Sequence, residues 1–187
     1  MDILHISSRC KENIVSNPEP HSIQLETDIE DVNLPEDVKD IVIYVSGFVV
    51  RRLKELKIFK NCAHCSSELS VKVGEDITSV ENSTLVQVKN RGGLVVPNSR
   101  ELRDVCIFLE KLMRKNSTKL FQNSFVLLAT NLALSKCKFI DCKIHKLFSS
   151  ICKKFLKVRL NHESKLFIKI EQYIRRTRTK VILYKGQ

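Results

Sequence analysis

Tryptophan is absent from the sequence, and glycine and proline are scarce, with 5 and 4 among 187 residues. A β-sandwich uses both residues in its many turns, so their scarcity disfavours an all-β fold. Aromatic residues make up only 6% of the chain, whereas hydrophobic residues together make up 43%. A core of this composition is built from Leu, Ile, Val and Phe. We predict a mainly α fold, a small helical domain with at most a short β element.

Long apolar runs are also lacking. No stretch approaches the ~20 consecutive apolar residues that a membrane-spanning helix requires. The first residues, Met1 to His5, lack the basic segment and apolar run of a secretory signal. We therefore expect no membrane partner. In a chain without secretory features, we interpret the seven cysteines as reduced thiols, some of them metal ligands, rather than as a disulfide framework.

Charge is distributed very unevenly along the chain. Residues 1–40 contain ten acidic and three basic residues, a net charge of −7, whereas residues 136–187 contain fifteen basic and three acidic residues, a net charge of +12. A basic block of this strength predicts a polyanionic partner, nucleic acid before an acidic membrane surface. The alternative is that the lysines only keep a helical surface soluble.

The acidic N-terminal segment, residues 1–38, contains isolated apolar residues without helical or strand spacing. We predict that it is a disordered linker and that residues 39–187 form a helical domain with a basic tail. The first helix is expected to begin near Glu36 or Asp37, because apolar residues recur every three or four positions from Val42 onwards.

Further helices are indicated along the rest of the chain. Asn98 followed by Glu101 resembles a capping box, ahead of a helix that would bury Leu102, Val105, Leu109 and Leu112. Residues 120–134 should form another helix, and Thr84 to Lys89 should form a short strand or a helical turn.

A basic amphipathic helix is predicted from about Lys143 to Leu160, and a last helix from about Glu163 to Arg175, ahead of a basic tail. Lysines on one helical face can follow a phosphate backbone, which gives affinity without much sequence readout. The segment from Arg175 to Lys180 also fits a nuclear-localisation signal, and both roles can hold. The predicted DNA-binding residues are Lys143, Lys146, Lys153, Lys154, Lys157, Arg159, Arg175, Arg176 and Arg178.

Cys62 and Cys65 have the spacing of half a zinc site, because a tight turn aims two thiolates at one point. The other half must come from Cys137, Cys142, His145 or His162, and Cys142 with His145 has a ligand-like spacing at a helix start. The alternative is a pair of ordinary thiols. We predict a zinc cofactor with its ligands among Cys62, Cys65, Cys142, His145 and His162.

No catalytic residues are predicted. Glu101, Asp104 and Glu110 lie on one helix, whereas two-metal nucleases gather acids from separate elements. Beside Arg100 and Arg103, Glu101 and Asp104 are typical of a solvated charged face. Gly92-Gly93 lacks the Lys-Ser/Thr pair of a phosphate-binding loop and indicates a plain turn.

Several stretches together resemble the C-terminal region of P-element-like transposases, including the THAP-type zinc-finger transposases. The residues are Tyr44-Val45-Ser46-Gly47-Phe48-Val49-Val50-Arg51-Arg52-Leu53 with the later Cys62 and Cys65, then Arg91-Gly92-Gly93-Leu94-Val95-Val96-Pro97-Asn98, and Phe155-Leu156-Lys157-Val158-Arg159-Leu160-Asn161-His162. The resemblance covers about residues 40–187. Asn98 replaces the usual Ser of the second motif, with Ser99 just after it.

The resemblance implies a part of a DNA transposase that acts in the nucleus and lacks the acids of the ribonuclease-H-like catalytic core. No stretch matches the Asn-Gln-Asp-x-x-Glu pattern that carries the last of those acids. We therefore expect a non-catalytic domain, truncated or domesticated, that binds DNA phosphates, either non-specifically or at transposon ends, and that can self-associate. The alternative is a helical protein-interaction or oligomerisation module without DNA binding.

Overall fold

A computed structural model describes residues 24–69, 84–89, 96–97, 99–136, 142 and 145–185, with side chains up to Thr177. Every regular element within these ranges is helical, which confirms the mainly α prediction. None of the helices described combines the length and apolar character needed to cross a membrane. The helices are α1 (Glu36–Lys54), α2 (Lys57–Lys60), α3 (Ala63–Glu68), α4 (Thr84–Lys89), α5 (Arg100–Lys115), α6 (Phe125–Lys136) and α7 (Leu147–Lys185).

Helix α1 lies between two groups of helices and is packed on both sides. It begins at Glu36, as predicted, where two acids in its first turn face the positive end of the helix dipole. Val42 and Val49 join the main core with α5 and α7, whereas Ile43 packs with Val86 of α4. Ser46 is fully buried, and its hydroxyl donates to the carbonyl of Ile43 at 2.7 Å, so its burial leaves no hydrogen-bonding group unpaired.

Helix α5 packs against α1 across the core. Its N-cap is Ser99, whose Oγ accepts from the backbone N–H of Leu102 and donates to Glu101. The predicted cap, Asn98, lies outside the described residues. The predicted buried positions are confirmed, since all four are inaccessible to solvent: Leu102, Val105, Leu109 and Leu112.

The shorter helices complete the domain. Residues 84–89 form a helical turn rather than a strand. Helix α6 begins at Phe125, five residues later than predicted, because residues 120–124 form turns that follow a 3-10 turn at residues 117–119. Phe125 and Ala129 are fully buried, and α6 packs along α7.

Helix α7 is one continuous helix of 39 residues where the sequence predicts two. No proline or glycine interrupts it, so nothing in the backbone ends it at Asn161. Its first third packs against the core through the predicted inward side, including Leu147, Phe148, Ile151 and Phe155. Its last third has exposed side chains as far as they are described, up to Thr177.

Residues 24–35 form a segment without regular secondary structure that lies on the domain, although the sequence predicts a disordered linker there. Leu34 is buried, and Leu25 and Ile29 pack against the core. The buried amide of Asn116 accepts from the N–H of Glu26 at 2.9 Å and donates to its carbonyl at 3.1 Å. This pair of hydrogen bonds, the Asn116 clasp, fixes the segment to the end of α5. Residues 1–23 lie outside the described part of the chain.

Candidate metal centre and basic surface

Four metal-ligating side chains meet where α3 approaches the start of α7. The ligand atoms of Cys62, Cys65, Cys142 and His145 all lie within 4.8 Å of one another. His145 Nδ1 lies 3.6 Å from Cys65 Sγ and 3.5 Å from Cys142 Sγ. These are four of the five residues predicted from the sequence, and the fold brings both halves together across some 80 residues.

Local backbone geometry aims each pair at the common point. Cys62 is the N-cap residue of α3, and its carbonyl accepts from the N–H of Ser66 at 2.8 Å, so Cys62 and Cys65 share one tight turn. On the other side, Lys146 has a positive φ of 47°, and its N–H donates to the carbonyl of Cys142 at 2.9 Å. That turn brings His145 back beside Cys142 just before α7 begins.

The ring of His145 is also supported from outside the cluster. It meets the Phe59 ring edge-on, with centroids 6.2 Å apart and an interplanar angle of 78°. Phe59 is buried, so this contact ties α2 to the residues that precede α7.

The arrangement suits a tetrahedral ion. Zinc bonds of about 2.0–2.3 Å to nitrogen and sulfur place neighbouring ligand atoms roughly 3.5 Å apart, close to the separations found here. Three thiolates and one imidazole form a common structural zinc set, and four protein ligands leave no position open for a substrate. Burial, followed by hydrogen bonds with Cys142 and Cys62, raises the pKa of Cys65 to about 12. A bound cation would instead favour the thiolate form.

His162, the fifth predicted ligand, lies elsewhere. It is exposed on α7, with its Nδ1 3.3 Å from Arg159 Nη1 and 3.8 Å from a Glu163 oxygen. It is therefore not part of the four-residue cluster, which is the set of ligands that the geometry favours. The other alternative ligand, Cys137, lies outside the described residues.

The predicted basic helix has its lysines on the side away from the core. Lys153, Lys154 and Lys157 are exposed, whereas Phe155 and Leu156 between them are buried. Three further predicted DNA-binding residues also have exposed side chains: Lys146, Arg175 and Arg176. Lys143 and the side chain of Arg178 lie outside the description.

Arg159 departs from this set. Its side chain is only 12% exposed and forms a bidentate ion pair with Glu110 of α5, with N–O distances of 2.8 and 2.9 Å. Arg159 also donates to Glu163 at 3.1 Å, and Arg114 donates to Glu110 at 3.2 Å. The guanidinium is therefore engaged within the domain rather than presented with the lysines.

Glu110 is buried, whereas Glu101 and Asp104 of the same helix are exposed. Burial alone raises the pKa of this carboxyl, but the hydrogen bonds and charges of Arg159 and Arg114 outweigh burial and hold the pKa below its usual value. Sequence periodicity could have placed Glu110 beside Leu109 near the inward face. It could not have shown that Arg159, 49 positions later, lies opposite.

Sequence reasoning also did not single out a second cationic surface. Arg51, Lys54 and Lys60 line an open cavity of about 640 Å³ at the junction of α1, α2 and α3. The signal is visible in the sequence, since five basic residues and one acidic residue fall between positions 51 and 60. This surface belongs to the same end of the domain as the candidate metal centre, because Phe59 borders both the cavity and His145.

Comparison with known proteins gives one finding that matches the resemblance in the sequence. No curated protein and no solved structure matches the chain. Residues 33–138, more than half of the chain, match the family described as DNA transposase THAP9, C-terminal domain. The match covers α1 to α6 and includes Cys62 and Cys65, whereas Cys142, His145 and α7 follow it. The chain therefore belongs to the family of the THAP9 transposase C-terminal domain.

Proposed function

We propose that this chain is a non-catalytic transposase domain that binds DNA phosphates through α7 and acts in the nucleus. The observation that carries the proposal is the exposed row of Lys153, Lys154 and Lys157, opposite the packed side of the helix. Within the described part of the chain, none of the three forms an ion pair. Their charges are available to a polyanion, and the neighbouring sequence adds to a net charge of +12 over residues 136–187.

A zinc ion in the four-residue cluster would support this role by fixing the base of α7. Cys142 and His145 precede the helix directly, and Cys62 and Cys65 belong to α3. Zinc would supply structural cross-linking there and no chemistry on a substrate, because the protein ligands fill its coordination. The base of the basic helix would then be held at a fixed position on the domain.

The positions of the acids support a non-catalytic role. Glu101 binds Ser99, Asp104 lies 3.8 Å from Arg100, and Glu110 is held by two arginines. Among the described residues, the one grouping of three or more metal-ligating side chains is the cysteine–histidine cluster, and it contains no carboxylate. A metal-dependent nuclease needs convergent carboxylates.

DNA affinity as a function of salt concentration tests the proposal. Fluorescence anisotropy with a short duplex would compare the wild type with Lys153→Gln/Lys154→Gln/Lys157→Gln. We expect binding that weakens steeply with salt, and a log–log salt slope reduced by about 3 in the variant, one unit for each lost phosphate contact. A variant with three neutralised cations on other helices, Lys39→Gln/Lys89→Gln/Arg100→Gln, is the matched control and should keep most of the slope.

The alternative role, a protein-interaction module with a merely solubilising charge, predicts a different result. In that case both triple variants would change the slope equally, or no binding would be detected at about 50 mM salt. Either result would exclude the proposed DNA contact.

A further inference from the structure

Helix α7 extends well beyond the domain that it supports. At 1.5 Å per residue, its 39 residues span about 58 Å. Side chains as far as Leu160 pack against the core, whereas those from Lys165 onwards are exposed as far as they are described. An isolated helical segment of this length is only marginally stable in water. We therefore expect a partner to stabilise the exposed segment of α7.

One side of this segment is apolar. Phe167, Ile170 and Tyr173 are 60%, 57% and 72% exposed, and Leu166 and Ile174 are exposed with them. At 100° per residue, these five residues fall within about 120° of the helix circumference. Phe155 and Leu156, which face the core nearer the start of α7, lie on the same side of the helix. The packed side of α7 thus continues as an uncovered apolar stripe.

The stripe has the spacing of a coiled-coil seam. Phe167, Ile170, Ile174 and Thr177 are separated by three, four and three residues, which is the alternation of heptad positions a and d. The sequence continues the same spacing at Val181 and Tyr184, and the helix extends to Lys185. The seam therefore covers about two and a half heptads.

Most of the positive charge lies away from the seam. Lys165, Lys169, Arg175 and Arg176 occupy the outer heptad positions b, c and f, so two such helices can approach without placing these cations between them. A basic helix with this division between its faces can pair with another copy of itself and still present cations outwards.

The positions beside the seam favour one orientation. The sequence has Glu171 and Arg178 at successive e positions. In an antiparallel pair the e edges meet, so each Glu171 approaches an Arg178 of the second copy. A parallel pair would instead bring Lys180 beside Lys185, which is unfavourable.

We propose that the exposed end of α7 pairs with the same segment of a second copy of this chain as an antiparallel coiled coil. The pairing is independent of the proposed DNA contact, because the seam and the lysine row lie on different sides of the helix. It buries the apolar stripe and leaves the basic side open to solvent. The resulting dimer has two-fold symmetry, with one domain at each end of the paired helices.

Sedimentation velocity of the full chain in the absence of DNA tests this pairing. We expect a monomer–dimer equilibrium in the micromolar range. The variant Ile170→Glu/Ile174→Glu should remain monomeric to at least ten times the concentration at which the wild type is half dimeric. Ile168→Glu is the matched control, because Ile168 is 51% exposed on the opposite side of α7. Circular dichroism would verify that all three proteins are folded.

A wild type that stays monomeric at about 100 μM, or that forms trimers, would overturn the proposal, as would equal disruption by Ile168→Glu. The orientation has its own test in charge reversal. Glu171→Arg alone should weaken the dimer, and Glu171→Arg/Arg178→Glu should restore it. Failure of the double reversal to restore the dimer would refute the antiparallel arrangement. A wild type that dimerises but does not bind DNA would count against the DNA contact alone.

Discussion

Arg159 of α7 binds both carboxylate oxygens of Glu110 on α5, at 2.8 and 2.9 Å, in an ion pair whose carboxylate is buried and whose arginine side chain is 12% exposed. Arg114 and Glu163 complete a four-residue network around it. The pair connects α5 with α7 next to Leu160, the last residue of α7 that packs against the core. Each charge depends on the other, because removal of one partner leaves a buried ion uncompensated.

Removal of Arg159 alone should therefore be costly. Arg159→Met is expected to lower the free energy of unfolding by about 3–5 kcal/mol, because Glu110 would remain charged and buried without its main partner. Replacement of both residues, as in Glu110→Leu/Arg159→Met, should recover most of that loss, since the desolvation cost disappears with the charges. Urea unfolding followed by circular dichroism measures both. Equal losses in the single and double variants would contradict this account.

Acid should weaken the same connection. The folded-state pKa of Glu110 is below its usual value of 4.5, so the native state binds this proton less readily than the unfolded chain. The stabilisation by the pair should be fully present above about pH 4.5 and should decline as the pH falls through the folded-state pKa. The difference in unfolding free energy between the wild type and Glu110→Gln should therefore shrink below pH 4.5. A difference that is constant with pH would show that the carboxyl titrates normally.

Metal content should follow the four-residue cluster. Purified protein should contain one zinc per chain by elemental analysis, and Cys62→Ser or His145→Ala should lose most of it. With free zinc at 1,000 times its dissociation constant, binding contributes about 4 kcal/mol to stability, so chelation should lower the melting temperature by roughly 10 °C. The controls are His64→Ala and His162→Ala, which remove exposed histidines outside the cluster. Zinc loss in either control would argue for a different ligand set.

The Asn116 clasp should make a measurable contribution to stability. Asn116→Ala would leave both backbone groups of Glu26 without their side-chain partner, at a cost of about 1–3 kcal/mol. The exposed Asn161→Ala is the matched control and should change stability by less than about 0.5 kcal/mol. Thermal unfolding of both variants checks the difference. Equal effects would mean that the Asn116 clasp contributes no measurable stability.

Features set by local periodicity could be predicted from the sequence. The inward side of α5 and that of early α7 follow from the spacing of Leu102, Val105 and Leu109 and of Phe148, Ile151 and Phe155. Both halves of the candidate metal centre were also visible, because Cys62 with Cys65 and Cys142 with His145 each have ligand spacing.

Features set by distant neighbours could not be predicted. Arg159 lies among lysines in the sequence and is distinguished only by Glu110 opposite it in the fold. Similarly, isolated apolar residues such as Leu25 and Ile29 give no periodic signal, although both are partly buried against the core. The sequence also predicts two helices where α7 is continuous, and the polar Asn161 that lies between them does not block a helical backbone.

The Asn116 clasp also determines how tension would pass through this domain. A pull applied from the N-terminal side reaches Glu26 before it reaches Pro35 and the first turn of α1. Within the described residues it then meets two sets of contacts: the hydrogen bonds of Lys119 with the carbonyl of Gln24 and of Asn116 with Glu26, and the 2.6 Å ion pair between Asp31 and Lys115. Both sets of contacts transfer the load to the end of α5, so α1 is shielded from unwinding for as long as they hold.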